Sequence, residues 1–154
     1  MSLVESARSQ TYRLHFAIGS LAGVNVEICN PVGSGKRITV RRSILRVDSS
    51  VQATVKRSTV GVTGGTSSIF TPVLMASDQP ASVATTKVFT VAPTESGSPT
   101  SFGRMDLLTG GYYDSGHQSI AEQEHITLLP GEYLTLVTNA AGATMTGFID
   151  WTER

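Results

Sequence analysis

The sequence predicts an all-β protein, and three observations support this fold class. The 154 residues include 18 serines, 19 threonines, 15 valines and 15 glycines, and these residue types suit strands and tight turns. Good helix formers such as lysine and glutamate are scarce. Short segments in which apolar and polar residues alternate recur along the chain, separated by turn-forming sequences. The length corresponds to one ordinary domain of roughly 100–200 residues.

Eight segments along the chain have the pattern or composition of β-strands. In segment 12–18, Tyr12, Leu14 and Phe16 alternate with polar neighbours, which predicts a half-buried strand. Segment 24–28 alternates in the same way. Six further segments have strand composition, namely 36–47, 51–62, 83–91, 126–129, 133–137 and 144–151. About eight strands are therefore expected, and a jelly-roll-like antiparallel β-sandwich is the arrangement that best protects their edges.

The domain organisation follows from the same pattern. Residues 12–154 are predicted to form a single sandwich domain, and the polar, unpatterned residues 1–11 an N-terminal arm. Residues 67–82 and 93–101 contain prolines and small polar residues, so they are expected to be long surface excursions of that domain.

The charge is balanced overall but unevenly distributed. Residues 1–60 carry nine basic and three acidic residues, whereas residues 61–154 carry three basic and nine acidic residues. This asymmetry predicts complementary surfaces between copies, or simple pairing of charges on neighbouring strands. A net charge of zero and the lack of an apolar run near ~18–20 residues predict neither a nucleic-acid partner nor a membrane partner.

The sequence offers little catalytic chemistry. The tetrad of residues 33–36 resembles part of a phosphate loop, but Arg37 follows it instead of Ser or Thr, so a hairpin loop is expected. The single Cys29 has no base nearby. Glu122, Glu124 and His125, together with Asp114 and His117, could supply metal ligands, but their spacing matches no metal motif. We therefore expect a protein that is not an enzyme and has no catalytic residue, metal or cofactor.

Two segments are predicted to form interfaces. Arginines are concentrated in residues 36–46, where Arg37 and Arg41 are predicted to share one strand face and Arg42 to share the other with Val40. These arginines suit contacts with carboxylates of a neighbouring subunit or shell protein, and the alternative is a solvated strand face. Tyr112 and Tyr113 follow a glycine turn and form a second candidate contact, or they cover one end of the core.

The C-terminal third carries a family resemblance. Residues 126–137 place a Pro-Gly-Glu turn between two apolar strands, and residues 146–151 form a Gly-Phe strand. This layout resembles the last strands of the C1q and tumour-necrosis-factor jelly rolls. Together with the Trp-Thr-Glu sequence at residues 151–153, it is similar to decoration or head-fibre proteins of tailed-phage virions.

The resemblance implies a function. A protein of this kind is a homotrimer that binds the major capsid protein or another virion protein and stabilises the head shell as a decoration or cement subunit. It is assembled in the host cytoplasm and located in the virion. The alternative is a receptor- or glycan-binding module of a phage fibre or spike, with Tyr112 and Tyr113 as contacts.

Overall fold

The computed structural model describes residues 10–114 and 126–154. Twelve strands lie in this part of the chain: β1 (Gln10–Gly19), β2 (Gly23–Cys29), β3 (Ile38–Val47), β4 (Val51–Ser58), β5 (Thr66–Ile69), β6 (Val73–Leu74), β7 (Thr85–Val91), β8 (Thr100–Leu107), β9 (Tyr112–Asp114), β10 (Ile126–Leu128), β11 (Tyr133–Thr138) and β12 (Thr144–Glu153). They form two antiparallel sheets.

The two sheets have interleaved strand orders. The first sheet has the order β6-β1-β12-β3, and β9 and β10 pair with the two ends of the remaining edge of β3. The second sheet has the order β5-β7-β2-β11-β4-β8. The chain passes repeatedly from one sheet to the other, and the first strand pairs with the last. The predicted all-β class and the antiparallel β-sandwich are confirmed, and the jelly-roll order of the strands stays a prediction.

The core lies between the facing sides of the sheets. Tyr12 and Trp151 pair across β1 and β12 at one end of the sandwich, with their ring centroids 6.2 Å apart. Farther along the same two strands, Leu14 and Ile149 are buried opposite one another. The alternation of apolar residues in β1 thus predicts the buried face correctly.

A buried carboxylate fixes one end of this core. Glu153, the last residue of β12, accepts hydrogen bonds from Trp151 Nε1 at 3.1 Å and from the backbone N–H of Val83 at 3.2 Å. The hydroxyl of Ser82 also donates to this carboxylate. The segment that leads into β7 is thereby attached to the end of β12.

The observed strands differ from the predicted segments in several places. Each of the eight predicted segments overlaps a strand, but β5, β6, β8 and β9 are additional. The predicted surface excursions therefore contain β5, β6 and the start of β8. Strand β1 begins at Gln10, so residues 10 and 11 of the predicted arm lie in the sheet, whereas residues 1–9 lie outside the described residues.

Strand β4 is shorter than predicted. The predicted strand continues to residue 62, but β4 ends at Ser58 and the chain then crosses the outer face of the second sheet. There the backbone N–H of Val62 donates to the carboxylate of Glu27 at 3.0 Å, and Thr63 forms a β-bridge with Thr94. This crossing covers Glu27, which is buried on the outer side of β2.

Candidate functional site

A β-bulge in β3 decides which faces the predicted interface arginines occupy. Val40 pairs with Trp151 and Arg42 pairs with Asp150, so Arg41 is the additional residue of the bulge. After Arg41 the inward-facing and outward-facing positions of β3 are exchanged. Arg42 therefore lies on the outer, exposed face of the first sheet. The prediction that Arg42 shares a face with Val40 was wrong, because an alternating sequence does not reveal a bulge.

Arg42 belongs to a polar and aromatic cluster on this outer face. Arg13 binds Asp150 through two hydrogen bonds of 2.7 and 2.8 Å, and this interaction raises the pKa of the arginine. The Arg13 guanidinium also lies 3.7 Å from the ring centroid of Phe148, while that of Arg42 lies 6.0 Å from it. The cluster therefore joins β1, β12 and β3 and leaves Arg42 at the surface.

The other predicted interface residues lie elsewhere. Arg37 is exposed just before β3, where its backbone pairs with that of Arg154. Tyr113 is half-buried opposite Leu45 and faces a cavity between the sheets. Tyr112 lies in β9, but its side chain is outside the described residues. The five predicted residues thus do not form one surface, and their role as contacts stays a prediction.

Residues 69–75 form an exposed apolar surface that we call the apolar edge. Strand β5 is an outermost strand of the second sheet and β6 is an outermost strand of the first, so the segment joins both sheets at one side of the sandwich. Ile69 is 76% exposed and Val73 is 54% exposed, and Phe70, Leu74 and Met75 are also exposed. Five large apolar side chains in seven consecutive residues form a patch of the kind that marks interaction sites.

The apolar edge has short strands and Pro72, but it has none of the charged residues that commonly protect edge strands. Proteins commonly place charged residues on exposed edges, because an unprotected edge pairs with other chains. Residues 58–77 contain no charged residue at all. Sequence reasoning missed this surface, because Pro72 and the neighbouring serines favour a loop. The uncharged apolar run itself was the signal that could have revealed it.

A cavity of about 420 Å³ lies between the sheets, on the side where β8 faces β3, β9 and β10. Buried side chains from both sheets form its inner wall, among them Phe16, Ile28, Leu136 and Ile149. Its rim includes residues 102–104 of β8, which are exposed. The cavity is therefore an apolar space that reaches the surface beside β8.

The size of this cavity distinguishes it from an ordinary packing defect. Protein interiors contain few voids larger than a water molecule. Its volume lies within the range of about 300–1,000 Å³ that is typical of small-molecule sites.

Cys29 is half-buried beside polar residues on the outer face of the second sheet. Burial raises the pKa of its thiol, and a hydrogen bond with Tyr133 offsets this only in part. The neighbouring Glu27 carboxylate lies 3.8 Å from Lys87 Nζ. Because the thiolate is the reactive form of cysteine, a raised pKa makes Cys29 a poor nucleophile at neutral pH.

The described ranges, 10–114 and 126–154, contain no group of three or more histidine, cysteine or carboxylate residues able to hold a metal ion. Of the residues weighed as metal ligands, Glu122, Glu124, His117 and His125 lie outside these ranges. Asp114 is the last residue of β9, and its side chain is outside the described residues. In the same part of the chain no helix has the length and apolar character needed to cross a membrane.

Comparisons with protein-family models, with curated proteins and with solved structures gave no match. The surfaces and the cavity of the molecule are therefore the basis for its proposed function.

Proposed function

We propose that this chain is a structural virion protein, a jelly-roll subunit that associates into a homotrimer and decorates the head shell of a tailed phage. The apolar edge is the observation that carries this proposal. Its uncharged, exposed side chains favour contact with another chain over contact with water.

Self-association through the apolar edge fits a closed ring. A ring of three copies needs a heterologous contact, in which one surface of a subunit meets a different surface of the next. Residues 69–75 lie at one side of the sandwich and span the edges of both sheets, so they present such a one-sided surface. Burial of side chains such as Ile69 and Val73 then supplies the free energy of association.

Attachment to the shell is assigned to the outer face of the first sheet. Arg42 and Arg46 are exposed there, and both belong to the basic first part of the chain. Exposed arginines bind carboxylates through paired hydrogen bonds, and such contacts weaken as salt screens the charges. We expect attachment to acidic groups of the major capsid protein, or of another virion protein, to weaken with rising ionic strength.

Light scattering over a wide dilution range tests the trimer. The expected mass is three times 16.3 kDa. Replacing Ile69 and Val73 by Asp places charges in the apolar edge and should yield monomers with an unchanged circular dichroism spectrum. A wild-type protein that is monomeric throughout would remove the trimer from the proposal.

A matched control is available outside the apolar edge. Val32 lies in the loop after β2 and is 86% exposed, so V32D adds the same charge at an equally accessible apolar position. This variant should keep the wild-type mass. Dissociation of V32D to the same extent as I69D/V73D would show that the charge, and not its position, causes the effect.

Cosedimentation with purified tailed-phage heads tests decoration. The trimer should sediment with the heads at low salt and remain in the supernatant at high salt, and R42E/R46E should not bind at either salt concentration. Failure to bind, together with binding to defined glycans on an array, would instead support the receptor- or glycan-binding alternative.

A further inference from the structure

We propose that the cavity between the sheets is a binding site for an amphipathic carboxylate, with the apolar chain inside the sandwich and the carboxylate at the rim beside β8. This inference concerns a small-molecule ligand and is independent of the assembly proposed above. It rests on the cavity wall, on the rim and on the charge at Arg57.

The wall provides the apolar part of the site. Strand β4 directs Val55 toward the interior, yet this side chain is only half-buried, because the space in front of it belongs to the cavity. Opposite it lie core residues of the first sheet such as Leu45 and Ile149. A volume of about 420 Å³ bounded mainly by aliphatic side chains fits a flexible hydrocarbon chain. An apolar cavity gains most from a ligand that buries many methylene groups, since each contributes about the same hydrophobic free energy.

Two arginines, Arg41 and Arg104, line the cavity, and a third, Arg57, contacts its rim through Phe102. Arg104 lies 3.5 Å from the carboxylate of Asp106. The Arg57 guanidinium lies 5.3 Å from the ring centroid of Phe102, a rim residue that is 45% exposed. Its Nη1 donates to the backbone carbonyl of Thr127 at 3.2 Å, which holds the side chain across the gap between the two sheets. Within the described residues, Arg57 forms no ion pair with a carboxylate. A ligand carboxylate at the rim would supply this counter-charge, because guanidinium binds carboxylate through paired hydrogen bonds.

Isothermal titration calorimetry with dodecanoate and dodecanol, each below its aggregation limit, tests the site. We expect saturable binding of one dodecanoate per chain. The variant V55F fills part of the cavity and should weaken dodecanoate binding at least tenfold, whereas V32F, at an exposed loop position, should leave it unchanged. Absence of saturable binding, or equal binding by V55F and the wild type, would overturn the proposal.

Binding of the two ligands by the variant R57Q tests the role of Arg57. R57Q should weaken dodecanoate binding several-fold and leave dodecanol binding unchanged, because only the former carries a charge. An equal effect on both probes would overturn the assignment of a carboxylate ligand. If V55F does not fold, L134F narrows the same cavity from the neighbouring strand β11 and makes the same test.

Thermal unfolding of V55F examines the cavity without any ligand. A larger side chain that enters empty space adds packing contacts and raises the midpoint of unfolding, whereas one forced into a filled core lowers it. A raised midpoint together with weakened dodecanoate binding is the expected result. A lowered midpoint together with unchanged dodecanoate binding would show that the space does not receive the ligand.

Discussion

Arg13 and Asp150 form a two-point ion pair across β1 and β12, with Nε and Nη2 of the arginine 2.7 and 2.8 Å from the two carboxylate oxygens. The pair lies at the centre of the first sheet, and Phe148 covers one face of the guanidinium. The Asp150 side chain is only 11% exposed, so its carboxylate depends on this partner.

We expect D150N to destabilise the protein by about 1–3 kcal/mol, because hydrogen bonds to charged groups contribute more than neutral ones and Arg13 loses its partner. Urea denaturation measures the change. D106N is the matched control, since Asp106 pairs with Arg104 at 3.5 Å with both side chains largely exposed. It should change stability by less than about 0.5 kcal/mol. Similar losses in both variants would contradict the assigned importance of the central pair.

Gly147 is expected to tolerate no side chain. A Cβ atom at this position would lie 2.1 Å from the carbonyl oxygen of Ile44, and backbone in the middle of a sheet has little freedom to move away. G147A should therefore cost about 3 kcal/mol or more in the free energy of unfolding. Gly19 has open space at the same point, so G19A should be close to neutral. A stable G147A protein would contradict the close packing of β12 against β3.

Glu153 is expected to control the environment of the only tryptophan. Its carboxylate accepts from Trp151 Nε1 and from the segment that precedes β7, so E153Q places an amide donor where only acceptors fit. We expect a loss of about 1–3 kcal/mol in stability and a red shift of the fluorescence as water reaches the indole. An unchanged emission spectrum in E153Q would show that this carboxylate does not order the end of the core.

Asp48 is expected to make the stability of the folded protein fall at acid pH. Its carboxylate accepts from the backbone N–H of Thr144 at 2.7 Å, and chiefly this bond lowers its pKa below the ordinary 3.8. A lowered folded-state pKa gives stabilisation that is present above about pH 4 and disappears as the pH falls through the folded value. D48N should therefore flatten the acid side of the stability profile, as measured by urea denaturation between pH 2 and 6. A profile identical to that of the wild type would contradict this role.

The regular strands could be predicted from the sequence because one of their faces is buried. In β1, every second residue is buried in the core, as Tyr12, Leu14 and Phe16 show. The alternation of apolar and polar residues in the sequence follows directly from this burial. Strand β8 could not be recognised, because most of its residues are exposed and its pattern reflects no buried face. Its place is defined by backbone pairing with β4, which extends from Leu107 opposite Val51 to Thr100 opposite Arg57.

The buried carboxylates and the β-bulge could not be predicted from the sequence for a different reason. Glu27 and Glu153 are bound by the backbone N–H groups of Val62 and Val83, which are distant from them in the sequence. The bulge at Arg41 arises from the pairing of β3 with β12, more than a hundred residues farther along the chain. Long-range contacts of this kind leave no local periodicity, and for the same reason the cavity was not foreseen.

The pairing of β1 with β12 also has a consequence for biosynthesis. Ten residue pairs join Gln10–Gly19 to residues 144–153, so a central strand of the first sheet waits for its neighbour until almost the whole of this sequence has been translated. Folding with such distant contacts is slow, and a nascent chain at this stage exposes an unpaired apolar strand. We therefore expect the apolar face of this strand to stay exposed in the nascent chain until residues 144–153 emerge and pair with it.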